Sequence, residues 1–393
     1  MKKVMLISPM LHQGGFERIC VMTARMLQKK YDVTIVVFSL DDIAFDISGL
    51  KVIDLDLKSK PGKMEKVLNV VKRVFALSRL QKRLGTDISY SFGTTANIAN
   101  ALTWGAKKKI TACHSFEEIK GSGYMKLIGR HSDLVLCCSK KMADLVKKMY
   151  SFSNIKALWN PCDIEGIIEQ SEKTTEEDVA FFKTEEKVLV SMGREDDVKG
   201  FWHLLKAFRR IQEEEENTKL AIIGDGDFSE YEKLAEELHI RDKVLFAGLK
   251  KNPFPYLKAS DYYVLTSLSE GLPNALVEAL ALSVPIVSVN CLSGPAEILH
   301  EDWKAAEEEK QVFEADFGIL APVFCPDKDM SVTWEADGRV KLDEAQEAFA
   351  LAVLKMMRED TLSKVYQDRA FDRAKEFSKE KHIDGLISYM ETL

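Results

Sequence analysis

What the chain lacks narrows its class first. Its 393 residues contain no apolar run of about 18 residues, the length that a membrane-spanning helix needs. Its seven cysteines (Cys20, Cys113, Cys137, Cys138, Cys162, Cys291 and Cys325) are odd in number and include no Cys-x-x-Cys pair. The seven histidines show no metal-ligand spacing. A disulfide framework and a structural zinc site are therefore disfavoured, and buried, reduced thiols in a cytoplasmic protein are expected. No Gly-x-Gly-x-x-Gly occurs, which disfavours a dinucleotide site. The start, residues 1–9, has two lysines but only a short apolar run. It reads as a first buried strand and not as a signal peptide.

What is present describes an ordinary globular protein, 46% apolar and 30% charged, long enough for two or three domains. The net charge of −7 conceals a strong polarity. Residues 1–160 hold 27 Lys+Arg against 13 Asp+Glu, a net +14, and residues 161–393 hold 28 against 49, a net −21. That split points to two domains with different partners, the basic one suited to something anionic.

Strand-like and helix-like segments alternate. Strands are expected at 4–7, 32–38, 88–92, 109–113, 134–138 and 155–158, with helices over 16–29 and 63–84. The pattern breaks at Asn160-Pro161 and a charge cluster at 172–178. It restarts with strands at 187–192, 220–223, 244–247, 262–265 and 285–288. Continuous apolar strands separated by helices imply parallel sheets covered on both faces, here two doubly wound α/β units with a hinge near 160–185. Such sheets bind ligands beyond the carboxyl ends of their strands. The charged segments 300–317 and 325–342 read as insertions, and helices are expected at 342–359, 361–377 and 382–390.

Three motifs fall in strand-to-helix loops. Gly14-Gly15-Phe16-Glu17-Arg18 lets backbone N–H groups approach a phosphate at a helix N-terminus, or forms a plain tight turn. In the loop 193–200, Arg194 and Lys199 can converge on a diphosphate as planar fork and point charge. Alternatively, the acids at 195–197 pair with both. In Ser269-Glu270-Gly271-Leu272-Pro273-Asn274, followed by Glu278, Pro273 suits a first helical turn and two carboxylates flank the helix N-terminus. The helix N-terminus offers donors to phosphate, and the carboxylates accept from sugar hydroxyls.

The Glu270–Glu278 element resembles the signature of retaining glycosyltransferases of family 4, which have the GT-B fold. Other elements are similar in the same order: Gly14-Gly15…Arg18, His114, Asp133…Ser139, Asn160-Pro161, Arg194…Lys199-Gly200, Gly224-Asp225-Gly226 and Ser293-Gly294-Pro295. Together they cover residues 4–300. The resemblance implies an α/β GT-B fold of two Rossmann-like doubly wound domains facing across a cleft. Residues 1–160 would bind the acceptor, with a helix at about 380–393 packing back on them, and 161–379 would bind the donor.

The resemblance also implies roles. Gly15 would admit the donor diphosphate, and Arg194 and Lys199 would stabilise the leaving diphosphate. Glu270 would hold donor-sugar hydroxyls, with Gly271, Leu272 and Pro273 supplying backbone contacts. Glu278 would bind the ribose, and His114 would lie near the reacting centre. No metal or other cofactor is implied beyond the nucleotide-sugar substrate, and the Glu-Gly-Leu-Pro variant resembles UDP-dependent enzymes. The implied activity is retaining transfer of a hexose or N-acetylhexosamine to a lipid-linked or polysaccharide acceptor for a cell-surface glycan. A synthase or phosphorylase of the same fold acting on soluble sugars, and an inactive partner subunit, are the alternatives. Ser283 stands where the family usually has glycine, a change expected to be tolerated.

The helix 63–84 carries Lys63, Lys66, Lys72, Arg73, Arg79, Lys82 and Arg83 beside a stripe of Met64, Val67, Leu68, Val71, Val74 and Phe75. This is the pattern either of a core-facing helix with a solvated basic face or of a helix lying on an anionic membrane. Lys107-Lys108-Lys109 and the segment 119–130 extend the second reading. It places the protein at the inner face of the cytoplasmic membrane. No helix-turn-helix, zinc-finger or stacking-aromatic pattern supports nucleic-acid binding.

Overall fold

A computed structural model describes residues 1–12, 14–58, 62–173 and 179–393, without the Lys63 side chain. Residues 174–178, most of the expected charged linker, lie outside the described residues. The chain forms two compact units, Met1–Pro161 with Lys379–Leu393, and Cys162–Ser378.

The first unit is built on seven parallel strands: β1 (Lys3–Ser8), β2 (Asp32–Val37), β3 (Val52–Asp54), β4 (Ile88–Phe92), β5 (Lys108–Cys113), β6 (Leu134–Cys137) and β7 (Ile155–Ala157). Their order is β3-β2-β1-β4-β5-β6-β7, so the topology reverses between β1 and β4. All five residues of β4 are buried, including Ser89 and Ser91. Their hydroxyls donate to Asn100 and Asn97 of the helix Thr94–Ala101, at 2.7 Å each, which satisfies polar groups inside a covered sheet. The terminal helix Lys379–Glu391 belongs to this unit. Its Leu386 and Met390 enter the same apolar cluster as Val4 and Leu6, and Tyr389 donates to the Ala157 carbonyl.

The second unit repeats the plan with β8 (Lys187–Met192), β9 (Thr218–Ile223), β10 (Val244–Gly248), β11 (Tyr262–Leu265), β12 (Ile286–Val289), β13 (Phe313–Glu314) and β14 (Ile319–Ala321), in the order β10-β9-β8-β11-β12-β14-β13. Only β13 is antiparallel. The reversal lies between β8 and β11, so the loops after these two strands border the crevice where this fold binds ligands.

Three expectations need correction. The segment 300–317 is not wholly an unpatterned insertion. It contains the helix Trp303–Glu308 and the edge strand β13, too short to show a sequence period. Pro273 is not in the first helical turn. It precedes the helix Asn274–Ala281, in extended backbone. On the helix Lys63–Leu84, the first of the two readings, a core-facing stripe, holds only at Val74. Val74, Leu77, Leu80 and Gln81 are buried, while Met64, Val67, Leu68, Val71 and Phe75 are exposed. Six cysteines are buried and Cys325 is exposed. Ser283 adopts φ 55°, the left-handed region that favours glycine.

Candidate active site

In the second unit, glycines let three loops approach one another. A Cβ on Gly224, after β9, would lie 1.7 Å from the Gly193 carbonyl oxygen, so only glycine fits against the turn that carries Arg194. The Asp225 carbonyl accepts from the Glu195 N–H at 2.7 Å. Gly224→Ala must therefore displace the Gly193–Arg194 turn. The expected cost is about 1–3 kcal/mol, read as a lower melting temperature. Wild-type melting in this variant would show that the turn yields freely.

The loop 193–200 then enters the one-turn 3₁₀ helix Asp197–Lys199, started by Asp196, whose Oδ1 accepts from the Val198 N–H. Gly200 follows at φ 62°, where a Cβ would meet the Thr266 carbonyl at 2.4 Å. This loop is stitched to the one after β11. Thr266 Oγ1 donates to the Lys199 carbonyl at 3.0 Å, and the Leu268 N–H to the Val198 carbonyl at 2.8 Å. Side chains complete the joint. Lys199 Nζ and Ser267 Oγ each donate to Glu270 Oε1 at 2.7 Å. The Lys199 and Glu270 side chains are only 23% and 14% exposed, so water screens the pair little.

The loop after β12 supports Glu270 from behind. Its backbone bonds with Leu292 and Ser293 on both sides, and Ser293 Oγ donates to the Gly271 carbonyl at 2.6 Å. Gly271, Leu272 and Pro273 are buried and lead into the helix Asn274–Ala281, which carries Glu278 on a buried face. Tyr263, whose hydroxyl accepts from the Met192 N–H, is pushed up by burial, with the Glu278 and Glu270 carboxylates adding to the shift. Glu270 and Glu278 thus both act on one buried tyrosine.

Lys199 and Glu270 are therefore brought together, and Lys199 pairs with Glu270 rather than with the acids of its own loop. Arg194 is exposed and forms no ion pair among the described residues. The segment 325–342, with no role legible in sequence, folds back on the helix Phe201–Gln212. The His203 ring bonds to the Cys325 carbonyl and Lys206 to Asp329. Its Lys328 reaches Asp197 at 2.8 Å and Glu230 at 3.2 Å, which steadies the turn that presents Lys199.

In the first unit, Gly14 is extended and Gly15 begins the helix Gly15–Leu27. The Glu17 carboxylate folds over Gly14, where a Cβ would lie 2.2 Å from Glu17 Oε2. Gln13 lies outside the described residues. His114 follows β5. Its ring stacks on Phe92 and neither ring nitrogen reaches solvent. Burial pulls its pKa down to about 4, against the opposing effect of a hydrogen bond with the Asn160 side chain, so the imidazole is neutral.

The His114 backbone is fixed by Glu118, which accepts from the N–H groups of His114 (2.7 Å) and Ser115 (3.2 Å) and from the Thr94 hydroxyl (3.0 Å). Burial raises the Glu118 carboxyl. Sequence reasoning overlooked Glu118, although Ser115-x-x-Glu118 is a readable capping box. Ser267 and Lys328 carried no comparable signal. Among the described residues, no group of three or more His, Cys, Asp or Glu side chains is placed to hold a metal ion.

Two Rossmann-like units with reversal points after β1 and β8, and glycine-bordered loops at the second, define a GT-B glycosyltransferase fold. The chain belongs to the glycosyltransferases of this fold: the Glycosyltransferase Family 4 model matches residues 13–165 and the Glycosyl transferases group 1 model residues 172–309. It is 27% identical to N-acetylgalactosamine-N,N'-diacetylbacillosaminyl-diphospho-undecaprenol 4-alpha-N-acetylgalactosaminyltransferase of Campylobacter jejuni, over 99% of this chain and 100% of that one. It is 26% identical to an uncharacterized glycosyltransferase of Methanocaldococcus jannaschii, over 91% and 92%. The crystal structure of Anabaena HepE in complex with UDP-glucose has the same fold, with a TM-score of 0.75 at 16% identity over the whole of both chains.

Proposed function

We propose that this protein moves a hexose or N-acetylhexosamine from a UDP-linked donor to a lipid-linked or polysaccharide acceptor, with retention at the anomeric carbon and without a metal ion. The observation that carries the reading is the Lys199–Glu270 pair beside the N-terminus of the helix Asn274–Ala281. Lys199 and Arg194 neutralise the leaving diphosphate, work that preorganised cations do well in a site poor in water. Glu270 accepts from donor-sugar hydroxyls, the backbone of Gly271, Leu272 and Pro273 contacts the donor, and Glu278 accepts from the ribose. In the first unit Gly15 admits the diphosphate and neutral His114 lies against the donor sugar. The acceptor hydroxyl attacks from the face that the diphosphate leaves, and the departing phosphate oxygen takes its proton. Residues 162–378 bind the donor and 1–161 the acceptor.

The name of the Campylobacter relative, which acts on an undecaprenol diphosphate, supports a lipid-linked acceptor. So does the +14 charge of residues 1–160, suited to the anionic inner face of the cytoplasmic membrane. A thermal-shift comparison of UDP, GDP and ADP tests the donor. UDP at about 100 times its Kd should add about 2.7 kcal/mol of stability and raise the melting temperature, while GDP and ADP leave it unchanged. A selective response to GDP or ADP would overturn the UDP reading.

A further inference from the structure

The exposed stripe on the helix Lys63–Leu84 has no partner among the described residues. Met64, Val67, Leu68, Val71 and Phe75 recur at helical spacing and fall within an arc of about 100°. Their exposure is far above that of a packed face: 78% for Met64, 65% for Val67 and 50% for Phe75. The stripe continues onto the next loop. Trp104, itself 50% exposed, meets the Phe75 ring edge-on at 5.1 Å. That loop is fixed to the helix, because the Trp104 N–H donates to Ser78 Oγ and a Cβ on Gly105 would lie 2.3 Å from the Ser78 carbonyl oxygen. Six large apolar side chains therefore form one contiguous surface, a size that marks an interaction site.

The opposite face is anchored. Arg73 donates to the Leu57 carbonyl from Nε and Nη2 and lies over the Phe38 ring, and Asn69 donates to the Lys58 carbonyl. The helix therefore cannot roll to bury the stripe without breaking buried contacts.

Charge decides what covers it. Lys72, Arg79 and Arg83 lie along one side of the stripe and Lys82 continues its line; all four are exposed and form no ion pair among the described residues. The only acid on the helix is Glu65. A second copy of this surface would set lysines against lysines, whereas an anionic bilayer neutralises them and takes up the apolar side chains. Other basic residues contribute less. Lys107 and Lys108 are paired with Asp87 and Asp133, and Ile119, Met125 and Ile128 of the segment 119–130 are buried.

We propose that this stripe is a bilayer-insertion face, with the flanking cations on lipid phosphates and Val71, Phe75 and Trp104 in the acyl boundary. This rests on the membrane reading above and adds an apolar anchor that salt cannot screen. Flotation with vesicles of phosphatidylcholine and phosphatidylglycerol tests it at low and at high salt. The wild type should float in both. Val71→Ser/Phe75→Ser should weaken partition by about tenfold or more and make what remains salt-sensitive, with UDP-induced stabilisation unchanged. Equal flotation of that variant and the wild type overturns the insertion face and leaves the membrane reading standing. No flotation of the wild type at low salt overturns both. A wild-type dimer that the double substitution dissociates overturns the proposal in favour of self-association.

Discussion

Lys199→Ala should lower the transfer rate by about 10²–10³ while leaving the fold intact, the loss typical of removing one preorganised charge-stabilising donor. Lys199 is held by its carbonyl to Thr266 and by its ammonium to Glu270. Its charge is therefore oriented before the donor arrives and needs no reorganisation during the reaction. Among the described residues, removing it leaves Glu270 with only the Ser267 hydroxyl as a side-chain donor, so the carboxylate loses the orientation that the proposed contact with sugar hydroxyls requires.

Glu270→Gln should fall in the same range for the reciprocal reason, because Lys199 loses its fixed partner. The two substitutions together should cost little more than either alone, since residues that act as a unit are strongly non-additive. Rates measured at saturating UDP-sugar and acceptor, with melting curves as the control for folding, decide the matter. A Lys199→Ala enzyme within about threefold of wild type would remove the pair from the machinery.

The architecture was largely readable because most of its strands contain continuous apolar runs, buried on both faces at Ile35–Val37 and Leu134–Cys137. The partner of Lys199 was not readable. Glu270 is 71 residues away, and three acids stand closer in sequence. Only the close passage of the loops after β8 and β11, secured at Gly200, selects the distant one. The Gly224–Gly193 approach is equally invisible, because a sequence shows that a residue is small and not what would strike it. The helix Lys63–Leu84 marks a different limit. Periodicity gathers its apolar residues into a stripe but does not say which face packs, and here Val74 of that stripe goes inside with Arg73, Asn69 and Gln81 while Val71 and Phe75 stay out. His114 marks a third limit: its motif is legible, but the shielding of both its ring nitrogens from solvent is not.

Acid should unfold the first unit well before a typical globular domain. His382 is buried and both ring nitrogens of His114 are shielded from solvent, and this desolvation pulls each imidazole down to about 4 from the ordinary value near 6.5. In the unfolded chain both take up a proton as pH falls through about 6.5. In the folded unit neither does so until about pH 4. Across that window the unfolded state binds more protons, so stability is fully present above the window and is lost progressively as pH falls through it. Each histidine can account for about 3 kcal/mol, a large share of a domain's total of about 5–15 kcal/mol. Charge on His382 further disfavours charge on His114. Glu118 opposes the trend, because its raised carboxyl binds a proton more readily in the folded unit.

His382 couples this loss to the terminal helix, since its Nδ1–H donates to the Trp159 carbonyl at 2.6 Å. Protonating Nε2, buried and without a hydrogen-bond partner among the described residues, strands a charge where that helix docks. Urea unfolding should show a steep fall in stability between about pH 6.5 and about pH 4. His382→Asn, which keeps a donor for Trp159 but cannot charge, should flatten that slope by about half. Equal slopes in the two proteins would mean that the terminal helix carries none of the acid sensitivity.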